Sequence, residues 1–94
     1  MGQKLPPNEM ELYRRTDEIL HYVWDPIGIA GVPEARDEYH SYLPGIFAHL
    51  LKSDADAIRR DLKSIAEDRM GLKADLERID HVAGLLLRSK EVCL

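Results

Sequence analysis

Ninety-four residues, 45% of them hydrophobic, describe one folded domain rather than a disordered chain. The net charge of −4, the single cysteine (Cys93) and the lack of any apolar run of about 18 residues argue against a nucleic-acid binder and exclude an internal disulfide and a membrane-spanning helix. The charge is also lopsided: residues 1–50 carry four basic and eight acidic side chains, whereas residues 51–94 carry nine of each.

Residues 1–7 read as a flexible tail that Pro6-Pro7 separates from the first helix. Asn8 with Glu11 fits a reciprocal helix cap, and Leu12, Thr16, Ile19, Leu20 and Val23 then fall on one face at helical spacing. A helix over Glu9–Val23 is expected, ended by Asp25, which Pro26 biases towards extended backbone. An ordered Pro/Gly loop comes next, with Ile27, Ile29 and Val32 plugging the core edge between Gly28 and Gly31. Pro33 could open a short helical turn through Tyr39. Pro44 suits the first turn of a helix reaching Lys52, with Ile46, Phe47, Leu50 and Leu51 inward. Ser53 with Asp56 is a second capping pair. It opens a helix on Ala55, Ile58, Leu62, Ile65 and Met70 that closes at Gly71, with Asp56–Arg60 and Asp54–Arg59 as outer pairs. Leu72, Leu76, Ile79, Val82, Ala83, Leu86 and Leu87 mark a last helix over about Asp75–Ser89. The fold class is all-α: a small bundle of three longer helices and one shorter one.

The segments Trp24-Asp25-Pro26-Ile27-Gly28, Asp37-Glu38-Tyr39 with Tyr42, and Met70-Gly71-Leu72 together resemble a YugE-like family of small bacterial helical proteins, a domain of unknown function. The resemblance runs from about Leu12 to Leu87 and implies a small helical cytoplasmic fold with no inherited catalytic residues. Some relatives sit in toxin–immunity settings, so an immunity role is among its implications. The chain departs from the pattern at His40, where an acid is more usual.

Between Thr16 and Leu51 the only Lys or Arg is Arg36, set against Asp17, Glu18, Asp25, Glu34, Asp37 and Glu38. Acids interleaved with aromatics suit a face that steers and anchors a basic protein. Asp25, Glu34, Asp37, Glu38, Tyr39 and Tyr42 are therefore the candidate partner-binding residues, and a toxin is the candidate partner. Both phenols are expected to be open to solvent in that role, while Trp24 is expected in the core. The alternative is a metal-binding or enzymatic bundle. Glu18 with His21, and Asp37 with His40, each place a carboxylate and an imidazole three residues apart, a spacing used in di-metal bundles. The same spacing on two half-exposed histidines needs no metal. Asp25, Asp37 and Glu38 beside Tyr39 or His40 could do acid–base work, but no phosphate loop or nucleophile motif accompanies them. Arg59, Arg60, Lys63 and Arg69 are diluted by neighbouring acids, which disfavours nucleic acid. No enzyme activity and no cofactor are expected, and a homodimer through the last two helices is a further reading. The N-terminus lacks a basic-then-apolar signal layout, so cytoplasmic residence is expected.

Overall fold

The computed structural model describes residues 5–26, 28, 31–32 and 38–94. Four α-helices carry the fold: α1 (Pro7–Ile19), α2 (Leu43–Leu51), α3 (Ala55–Ser64) and α4 (Leu76–Cys93). A π-helical turn, Leu20–Trp24, continues α1, and a second, Ile65–Arg69, continues α3. A short 3-10 turn, His40–Tyr42, leads into α2. No strand occurs among the described residues. The expected short turn from Pro33 and most of the Pro/Gly loop fall outside them.

α1 starts at Pro7, inside the expected tail. Pro6 takes the cap position and Pro7 pre-sets the first helical angle, with no side-chain cap. The Asn8–Glu11 capping pair does not form. Glu11 instead holds Arg14 at 2.6 Å and Arg15 at 2.9 Å, because two guanidinium groups one turn on outcompete a single backbone N–H. These hydrogen bonds keep the Glu11 carboxyl far below its usual value of 4.5, at about 2.

Capping at α3 is displaced by one residue. Asp54, not Ser53, accepts the Ala57 N–H at 3.1 Å. Ser53 is committed elsewhere: it takes φ 54° at the end of α2, and its Oγ receives Lys90 Nζ at 2.6 Å. The same ammonium donates to the Leu51 carbonyl at 2.8 Å, so α4 caps the C-terminus of α2. The outer ion pairs also differ from expectation. Arg59 bridges Asp56 and Asp80, each at 3.0 Å, since Asp54 is occupied as a cap.

The second π turn closes as a helix end should. Gly71 sits at φ 66°, and the Leu72 N–H returns to the Ala66 carbonyl at 2.8 Å. Asp75 then caps α4, which runs on to Cys93, past the expected Ser89. Leu76 stands 60% exposed instead of inward, because it is the first residue of that helix and points away from the seam.

The core is continuous. Leu12, Leu20, Leu43, Ile46, Phe47, Leu50, Ile58, Leu62, Ile79, Val82 and Leu86 are buried, with Trp24 and Tyr39 among them. α4 packs against each of the other three helices, with α1 and α3 its closest companions. Each fully buried Leu or Ile contributes about 1.5–3 kcal/mol relative to an exposed one. The radius of gyration, 12.8 Å, matches the roughly 12 Å of a compact chain of this length. None of the described helices is long and apolar enough to cross a membrane.

Candidate functional site

The π turn at the end of α1 determines how the Trp-Asp-Pro segment is presented. Its wider winding, closed by the Asp25 N–H on the Leu20 carbonyl at 3.1 Å, turns Leu20, His21 and Trp24 into the core and Tyr22 out to solvent. Trp24 is 2% exposed, as expected of a core indole. Asp25 departs from the extended geometry expected before a proline: its φ is 28° and ψ 63°. Aspartate tolerates this left-handed region, and a backbone and a side-chain contact help to hold it there. One is the π-turn hydrogen bond just given. The other comes from Tyr39, whose Oη donates to Asp25 Oδ1 at 2.8 Å.

That second bond corrects the expectation of two open phenols. Tyr39 is only 2% exposed, its ring lying 5.5 Å from Trp24 and 6.3 Å from His21 between centroids. Its body belongs to the core and its hydroxyl to Asp25, so it cannot serve as a surface anchor. Asp25, half-buried, is likewise committed inward rather than offered to a partner. Tyr42 is half-buried beneath the Arg69 guanidinium, whose carbon lies 5.9 Å from the ring centroid. Glu38 is exposed. Glu34 and Asp37 lie outside the described residues.

The residues of the metal alternative are spread over different partners. Glu18 pairs with Arg14 at 3.0 Å on the outer face of α1, and His40 Nε2 meets Asp17 at 3.2 Å, tying the 3-10 turn to α1. His21 is not half-exposed but 2% exposed, edge-on to Tyr22 at 4.5 Å, and its Nδ1 has no hydrogen-bond partner. Asp37 again falls outside. Among the described residues no three His, Cys, Asp or Glu side chains stand together as a metal would require.

Two features have no clear signal in the sequence. One is the buried His21, which α-helical spacing places off the inner face. The other is a pocket of about 220 Å³ between α2 and α3, bounded by Tyr42, Gly45, Asp61 and Arg69. Asp61 there faces His49 Nε2 at 2.9 Å. In sequence Arg69 belongs to a diluted basic stretch, and only its position over Tyr42 singles it out. No family model, curated protein or solved structure matches the chain.

Proposed function

We propose that this is a small acidic protein-binding module whose docking face is the segment between Asp25 and Tyr42. The observation that carries the reading is the Tyr39–Asp25 hydrogen bond, which joins positions 14 apart in sequence and ties both ends of the acidic segment to the helical body. A segment held at both ends loses less conformational entropy when a partner docks. Glu38, exposed beside Tyr39, with Asp37 and Glu34, supplies the negative field that steers a basic surface and pairs with its Lys or Arg side chains. Tyr42 adds ring contact at the edge. Asp25 and Tyr39 act by holding the segment, not by touching the partner. Within this class, the acidity and small size suit an immunity-type inhibitor that covers a basic toxin surface.

Affinity capture from the source cell, and direct binding to the product of the neighbouring gene, test the proposal. A partner should be retained at low salt, be released as ionic strength rises, and be lost with Asp37→Lys, Glu38→Lys. Undiminished binding by that variant, with helicity intact, would place the interface elsewhere.

A further inference from the structure

On one face of α3 and its π continuation, Asp61 and Arg69 stand eight positions apart in sequence. Helical neighbours meet three or four positions apart, so these two charges are too distant to neutralise each other. Both nevertheless line the same pocket of about 220 Å³. At one end Arg69 lies over the Tyr42 ring and has no carboxylate partner among the described residues. Ser41, next to Tyr42, adds an exposed hydroxyl that can donate or accept. At the other end, beside Gly45, Asp61 gives one oxygen to His49 at 2.9 Å and keeps Oδ1 for a second donor. Ser64 has already donated its proton to Asp68 at 3.0 Å, so towards the pocket its oxygen can only accept. The pocket thus holds a cationic donor, Arg69, and an anionic acceptor, Asp61, on one lining.

We infer that this pocket binds a small molecule bearing a carboxylate at one end and an amine at the other, the carboxylate on Arg69 and the amine on Asp61. The volume is below the roughly 300–1,000 Å³ of sites for drug-sized ligands, which limits the occupant to a short chain. Eight positions span about 12 Å along an ideal α-helix, less where Ile65–Arg69 winds as a π turn, and the Arg69 side chain shortens the gap further. An ω-amino acid therefore fits better than an α-amino acid, whose two charges lie too close together. The Tyr42 ring and Ile65 supply the apolar wall against which the methylene chain lies. The pocket shares Ser41 and Tyr42 with the edge of the acidic docking face, but the test of its occupancy uses no protein partner, so it can fail or succeed independently of that reading.

The test is a titration of the full-length, 15N-labelled protein with 6-aminohexanoate, followed by the amide signals of Gly45, Ser64 and Arg69. Saturable shifts are expected, with glycine, acetate and butylammonium each binding about tenfold or more weakly, a difference of about 1.4 kcal/mol. Arg69→Gln and Asp61→Asn should each weaken binding by a similar factor. Gly45→Leu should abolish it by filling the pocket. A Cβ at position 45 meets only Asp61 Oδ2, at 3.9 Å, so the backbone there accepts a side chain without close contact, and the helicity of each variant is checked before its binding is read. Absence of saturable shifts, equal affinity for acetate, or unchanged binding by folded Gly45→Leu protein would overturn the inference.

Discussion

Removing one oxygen at position 39 is predicted to cost more than its size suggests. Tyr39→Phe keeps the buried ring but deprives Asp25 of a donor at 2.8 Å. The loss should be about 1–2 kcal/mol of unfolding free energy, read as a lower urea midpoint at unchanged slope. His21 should behave in the opposite way. Its buried Nδ1 has no partner, so His21→Phe, a ring of similar shape without the orphaned atom, should leave stability unchanged or raise it by up to about 1 kcal/mol. A loss of several kcal/mol would mean that the imidazole does something a phenyl ring cannot. The two residues also differ in how far the sequence reveals them. Trp24 and Leu20 read as core because they end an apolar face. His21 does not, because a 3.6-residue period places it on the side opposite the apolar face and only the π turn carries it inward. Tyr39 is equally consistent in sequence with a core ring or a surface anchor, and its bond to Asp25, a contact across the intervening segment, has no local signature.

At the scale of the element, helix ends account for most of the difference between expectation and structure. All four helices are legible in the apolar spacing, and Gly71 as the stop of α3 follows from glycine's access to positive φ. Gly71→Ala should lower stability by about 1 kcal/mol through backbone strain alone, since open space surrounds the position where its Cβ would lie. The caps are less legible because several polar side chains compete for each helix end. Asn8 loses Glu11 to two arginines, and Ser53 loses its cap role to Lys90. The Glu11 cluster has a consequence in acid. Its carboxyl is held at about 2 in the folded state and titrates near 4.5 when freed, so its contribution is complete above the higher value and fades as pH falls towards the lower. Thermal melts of wild type and Glu11→Gln should therefore differ at neutral pH and converge on acidification through that window. A constant gap down to about pH 2 would contradict the assignment of the shift to Arg14 and Arg15.

For the whole molecule, charge is distributed so that the first half is acidic while α3 and α4 are laced with pairs such as Lys63–Glu67 and Arg59–Asp80. That asymmetry is read directly from the sequence, whereas the clasp that fixes the ends of the acidic segment is not. The central claim joins the two: a pinned acidic segment docks a basic protein. The most direct measurement is the affinity of wild type, Tyr39→Phe and Asp37→Lys, Glu38→Lys proteins for the captured partner across a salt series. Charge reversal is predicted to remove binding and flatten the salt dependence, and Tyr39→Phe to weaken binding less, with the salt slope retained. Equal affinity of all three folded proteins at every salt concentration would contradict the claim.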